Sequence, residues 1–138
     1  STADASSDYS DTAYILFTSN NEMVQVINKF HDAGFYVIIS TSRPLISLKY
    51  PNLYNHTYSW LLNEGVKFSE LIYKDESLSY HTHLLDRILF HIDDEKKYID
   101  AFKKFNIKSF LYSFVNKQSS EISLNDLIKI KNDYAPFF

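Results

Sequence analysis

Apolar residues recur along this chain in two rhythms, short unbroken runs and three- or four-residue steps. Their alternation predicts strands interleaved with helices. The clearest stretch is residues 88–112, ILFHIDDEKKYIDAFKKFNIKSFLY. The run Ile88-Leu89-Phe90-His91-Ile92 stops at two adjacent carboxylates, Asp93 and Asp94. Tyr98, Ala101, Phe102 and Phe105 then step along as the inner face of a helix, and Phe110-Leu111-Tyr112 forms a second run. The spacing predicts strand, acidic loop, helix and strand, a βαβ unit with its acids at a strand's carboxyl end. Open α/β sheets bind ligands at that edge.

The rest of the chain continues the alternation. Residues 1–12, STADASSDYSDT, are small, polar and acidic, and predict a loop or frayed terminus. Residues 13–17 form a short apolar run that predicts a strand. Asn20 or Asn21 caps a helix with Met23, Val26, Ile27 and Phe30 inward, and Gly34 stands where a helix C′ residue is expected. Residues 35–39 are continuously apolar, the mark of a buried parallel strand, and end in Ser40-Thr41-Ser42-Arg43-Pro44. Residues 45–57 read as a loop and 58–64 as a short helix ending at Gly65. Residues 71–73 make a brief strand before Lys74-Asp75-Glu76-Ser77, and 80–87 a helical turn. After a polar loop at 116–121, Ser123-Leu124-Asn125-Asp126 predicts a capping box opening an amphipathic helix through Lys131. Together these elements predict a polar segment over 1–12 and one domain over 13–138. Its expected fold class is α/β, a three-layer α/β/α sandwich around a mostly parallel sheet.

Composition narrows the chemistry. At 138 residues the chain supports one domain with a substantial core, and eleven Phe with eleven Tyr predict a core rich in rings. The net charge is −3 and no basic block accumulates, which argues against a nucleic-acid surface while leaving room for a nucleotide-sized ligand. The absence of cysteine excludes disulfides and thiol catalysis and fits a cytoplasmic location. No apolar run approaches the roughly 20 residues of a membrane span, and no signal peptide is visible. With only two glycines, the chain has no glycine-rich phosphate loop of the Rossmann or P-loop kind.

In a parallel sheet the loops after the strands face one crevice, so Thr41-Ser42-Arg43, Lys74 and Asp93-Asp94 are expected to converge. Thr41, Ser42 and Arg43 offer a hydroxyl, backbone amides and a guanidinium to phosphate oxygens, and Lys74 neutralises negative charge. A carboxylate pair suits Mg²⁺, which takes one or two carboxylates plus waters and substrate oxygens. Each member also has a plain structural role. Asp93 and Asp94 suit the positive end of the following helix, Thr41 a loop hydroxyl, Arg43 a surface ion pair and Lys74 a solvated side chain. Their order, each at a strand end, is more specific than any one of them. His81 and His83 lack a second ligand pair for zinc. His91 reads as a core histidine, and Trp60 and the tyrosines as packing residues.

That order resembles the haloacid dehalogenase-like (HAD) phosphatase superfamily. Residues 35–44, FYVIISTSRP, look like its second motif, Lys74 sits where its third-motif lysine lies, and residues 88–112 are similar to its fourth motif. The segment from NNEMVQVINKFHDAGFYVIISTSRP through TYSWLLNEGVKFSELIY resembles small members linked to capsular polysaccharide synthesis and 5′-nucleotidases, and the likeness covers residues 21–116. It implies a Rossmannoid fold, Mg²⁺ held by Asp93 and Asp94, and a phosphorylated small molecule bound by Thr41, Ser42, Arg43 and Lys74. Enzymes of this superfamily form an aspartyl-phosphate, a case of carboxylate nucleophilic catalysis.

The superfamily's first motif, an apolar strand ending in Asp-x-Asp-Gly-Thr, does not occur in this sequence. Asp8-Tyr9-Ser10-Asp11-Thr12 is a worn version in one placement, with Asp8 as nucleophile. In a second, residues 13–17 are the strand, and Thr18 and Asn20 stand where the two aspartates belong. In a third, SSDYSDT is the flap and the motif lies before Ser1. The second and third suit a central strand better, because such a strand needs apolar residues on both faces. The expected function is a phosphatase-related domain, catalytically impaired in this chain, that keeps a phosphate and Mg²⁺ edge. The alternatives are an active Mg²⁺-dependent phosphomonoesterase on a sugar or nucleotide phosphate, with Asp8, Thr41 and Lys74 catalytic, and a non-catalytic domain for protein association. A protein partner or homo-oligomer is compatible with each, and a receiver-type signalling domain is disfavoured because its acidic pair belongs to the first strand.

Overall fold

The structure is a computed structural model that describes residues 21–42, 51–113 and 117–135. The polar segment 1–12, the expected strand at 13–17, the capping Asn20, Asp8 and Arg43 all lie outside the described residues. Within them the chain is mixed α/β, with four α-helices and two two-stranded parallel sheets.

Helix α1 is Asn21–Asp32 and buries Met23, Val26 and Phe30. It leads into strand β1, Ile38–Thr41, which pairs in parallel with β2, Glu70–Tyr73, in the register Ile38↔Glu70 to Thr41↔Tyr73. Helix α2, Leu53–Asn63, lies between them in sequence. Strand β3, His91–Asp93, pairs in parallel with β4, Ser109–Leu111, and helix α3, Lys96–Lys104, connects the two. A 3₁₀ turn, Lys117–Ser119, precedes helix α4, Leu124–Tyr134.

Three helices end by the same device. The amides of Phe35, Val66 and Ile107 reach back to the carbonyls of Phe30, Leu61 and Phe102, and those of Gly34, Gly65 and Asn106 to His31, Leu62 and Lys103. Gly34, Gly65 and Asn106 hold φ of 99°, 77° and 61°, as the αL residue of a Schellman ending requires. Both glycines of the chain are thus spent on helix ends. The accompanying apolar contact is visible in the edge-to-face rings of Phe30 and Phe35, whose centroids are 4.8 Å apart. Each ending turns the chain towards the next strand, β1, β2 and β4 in turn. The capping box expected at α4 is present, with Ser123 and Asp126 bonded reciprocally.

Several boundaries differ from the sequence expectation. Strand β1 begins at Ile38 rather than at 35, because Phe35 closes the α1 ending and Val37, which accepts from the Ser69 and Glu70 amides, donates its own amide to the Ser69 hydroxyl rather than to a strand partner. Helix α2 starts five residues before 58, since Leu53, Thr57, Trp60 and Leu61 form one buried face whose period the intervening Tyr54, Asn55, His56 and Tyr58 obscure. Strand β3 is shorter than the run 88–92 and takes in Asp93. Phe105, expected inside, is 46% exposed because it is the C-cap residue of α3, and α4 runs on to Tyr134. Trp60, Tyr98 and Tyr112 are core residues, whereas Tyr36, Tyr54, Tyr58, Tyr80 and Tyr134 are exposed and do not fit the packing role expected of the tyrosines.

The β3–β4 pair has two unlike faces. Ile92 and Phe110 pack with Met23, Val26 and Phe30 of α1 and Leu127 of α4. On the alternate face His91 stacks on Phe102 of α3, with centroids 3.7 Å apart. Side chains alternate along a strand, so this second face also carries Asp93, two residues from His91. It is the polar face.

Candidate functional site

Lys74 follows β2 directly, and it joins three strand ends. Its amide donates to the carbonyl of Thr41, the last residue of β1, at 2.8 Å. Its ammonium forms a salt bridge with Oδ2 of Asp93, the last residue of β3, and the two side chains are only 9% and 2% exposed. The same ammonium stands 4.4 Å from the ring centroid of Tyr98 on α3, an arrangement that favours a cation over an aromatic face. Thr41, Lys74 and Asp93 are therefore brought together at the carboxyl ends of β1, β2 and β3. Ser42 follows Thr41 and is half-buried, and Asp94 follows Asp93 and is exposed.

Asp93 is held on every side. The Glu95 amide donates to Oδ1 at 3.0 Å, and His91 Nε2 lies 3.2 Å from Oδ2. Burial opposes its ionisation, but the His91 ring, the Lys74 ammonium and the Glu95 amide outweigh burial and hold the carboxyl well below the usual carboxylate range. Asp94 goes the other way. Partial desolvation, and then its contact with the Asp93 carboxylate, push its carboxyl up. Adjacent carboxylates commonly split in this manner, because like charges resist a second ionisation.

Two histidines flank the same helix. His91 accepts or donates through Nδ1 to Ser109 Oγ at 2.6 Å, and burial lowers its affinity for a proton despite the pull of Asp93. His81 Nε2 lies 2.9 Å from Ser40 Oγ, and the His81 ring meets Phe102 edge-on with centroids 5.5 Å apart. Burial lowers His81 too, followed by the charge of His91. His81 and His83 diverge, His83 being exposed and 3.9 Å from Glu70 Oε2, so they do not form a ligand pair.

The pairing of His81 with Ser40 had no signal in the sequence, since the two are 41 residues apart. The proximity of His91 to Asp93 did have one, because residues i and i+2 of a strand share a face. The reading of His91 as a core residue and its contact with Asp93 hold together.

Among the described residues, no group of three or more histidines or carboxylates forms a cage for a metal ion. Of the two carboxylates expected to meet Mg²⁺, Asp93 is buried and engaged by Lys74, His91 and the Glu95 amide, and Asp94 is exposed. Among the described residues no helix is long and apolar enough to cross a membrane. Comparison of the chain with protein-family models, with curated proteins and with solved structures finds no match.

Proposed function

We propose that this chain is a HAD-like, phosphatase-related α/β domain that keeps a phosphate- and Mg²⁺-binding edge and is catalytically impaired in the form given. The observation that supports it is the position of Lys74, bonded through its amide to Thr41 and through its ammonium to Asp93. A hydroxyl, a lysine and a carboxylate pair at three neighbouring strand ends suit a dianionic phosphate with a divalent counter-ion. The three-layer Rossmannoid sandwich belongs to the same proposal, and the helices on both faces of the β3–β4 pair support it.

In this reading Asp93 and Asp94 hold the cation, which screens phosphate charge when bound. Lys74 and the Thr41-Ser42 turn bind the phosphate oxygens, and Arg43 adds a second positive group. Tyr98 and Phe102 exclude water from beneath the pair. The ligand is a small phosphorylated metabolite of the sugar or nucleotide class. No Asp-x-Asp follows an apolar strand in this sequence, so the chain lacks the paired acids that form and protonate an aspartyl-phosphate intermediate.

The test is phosphate release from p-nitrophenyl phosphate with Mg²⁺, alongside calorimetric binding of inorganic phosphate. The expected result is no turnover together with phosphate binding that Lys74→Gln removes. Turnover that Asp8→Asn abolishes would replace this reading with the active phosphomonoesterase, and absence of both turnover and binding would leave a protein-association domain.

A further inference from the structure

Between β2 and β3 the chain crosses in a string of turns rather than in a helix. The amides of Leu78, His81, Leu84 and Arg87 donate to the carbonyls of Asp75, Leu78, His81 and Leu84, at 3.1, 3.0, 2.8 and 2.8 Å. Residues spaced by three fall on one edge of such a string, and Leu78, His81 and Leu84 are all buried. Leu78 joins the cluster of Ala101, Phe102 and Ile107, and His81 meets Phe102 edge-on. At the upstream end the Asp75 carboxylate accepts from the Ser77 and Ser79 hydroxyls and the Ser79 amide. Residues 75–87 are thus a strap drawn over α3 by a few side chains.

Two of those side chains are held at a cost. Leu78 has φ of 55°, a left-handed conformation that L residues other than glycine adopt only under strain. His81 bonds through Nε2 to Ser40 Oγ at 2.9 Å, and its buried Nδ1 has no partner. The doubly protonated ring carries N–H on both nitrogens, so a second proton leaves the Nδ1 donor without an acceptor whichever tautomer precedes it. Burial above all, and then the charges of His91 on β3, His83 on the strap and Lys74 after β2, oppose that proton, and Asp75 favours it. Ser40 of β1 and Phe102 of α3 bring no charge to compensate. The closed strap therefore refuses a proton that a solvated imidazole accepts.

We propose that residues 75–87 form an acid-released strap, closed over Phe102 and Ser40 while His81 is neutral and opening locally when His81 takes its second proton. Opening frees the Ser40 hydroxyl, relaxes Leu78 and loosens the chain next to Lys74, from which the strap departs. The helices and both strand pairs stay folded. The device is built into the fold and does not depend on the phosphate reading.

The test is amide hydrogen exchange on the ¹⁵N-labelled full chain between about pH 7.5 and 5.5, corrected for the intrinsic pH dependence of exchange, with the His81 ring protons titrated over the same range. The expected result has the amides of Leu78, His81, Leu84 and Arg87 at least about tenfold less protected than those of α4, as local opening requires. Their protection falls by up to about tenfold per pH unit below about pH 6.5, the slope of one proton taken up on opening. That fall disappears in His81→Gln, whose side-chain amide can still meet Ser40 and takes no proton. In the wild type the His81 ring and the strap amides shift with one midpoint. Strap and α4 amides sharing one protection factor would mean that the strap opens only with the whole fold, and overturn the proposal. Strap protection that does not change with pH, the same fall in a folded His81→Gln, or separate midpoints for the ring and the strap in the wild type overturn it equally.

Discussion

The ammonium of Lys74 and the carboxylate of Asp93 form a buried ion pair that ties the end of the β1–β2 pair to the end of the β3–β4 pair. Each residue follows or ends a strand, and they are 19 positions apart. A pair so deeply buried gains much Coulomb energy and gives up much hydration, so its net stabilisation is small while its disruption is costly.

Breaking one half of the pair is therefore expected to cost more than removing both. Lys74→Met leaves a buried carboxylate unpaired and should lower stability by about 3–5 kcal/mol, and the double variant Lys74→Met/Asp93→Leu should recover most of it. Urea unfolding of the single and double variants measures this. Additive losses in the double variant would contradict a paired arrangement.

Phe102 is 1% exposed and touches both buried histidines, His91 by stacking and His81 edge-on. Phe102→Ala should cost about 3–5 kcal/mol, at the level of a large aromatic removed from a packed core. It should also loosen the polar face. Native-state hydrogen exchange should then speed up at His91 and Ser109 ahead of α4, whereas uniform acceleration would show that Phe102 supports the whole core equally.

The helix endings give a sharper stability test. Gly65 sits at φ 77° with open space where a Cβ would go. Gly65→Ala should cost about 1–2 kcal/mol through backbone strain alone, while a neutral result would mean that the αL turn relaxes without penalty. Thermal or urea unfolding decides between the two.

Much of this architecture was legible in the sequence. Gly34 and Gly65 announced two helix ends, Ser123 to Asp126 announced α4, and polar residues after apolar runs placed Thr41, Lys74 and Asp93 at strand ends. What stayed hidden is physical too. The start of α2 lies under a surface of Tyr54, Asn55, His56 and Tyr58 that carries no apolar period, and its inner face shows only when Leu53 and Thr57 are seen buried. Asn106 performs the task of a glycine without being one. The contact of Ser40 with His81 depends on tertiary folding that no local spacing encodes.

Acid should weaken the fold through the buried histidines. His81 is pushed below its ordinary 6.5 by burial, with His91, His83 and Lys74 adding to the effect and Asp75 opposing it. Its folded value lies below the unfolded one, so between the two the unfolded chain takes a proton that the folded chain refuses. Stability should be flat above about pH 6.5 and decline as pH falls below it. Urea midpoints at pH 7.5, 6.5 and 5.5 test this (about one unit either side of the ordinary histidine value), and His81→Gln should flatten the decline. Unchanged slopes in that variant would remove His81 from the account.

The proposed function requires the ends of β1, β2 and β3 to meet in an edge that binds phosphate with a divalent cation. Its most direct measurement is a titration of inorganic phosphate into the ¹⁵N-labelled chain in the presence of Mg²⁺, followed amide by amide. The predicted result is saturable shifts centred on Thr41, Ser42, Lys74, Asp93 and Asp94, absent in Lys74→Gln. Shifts that never saturate, or that cluster away from those five residues, would contradict it.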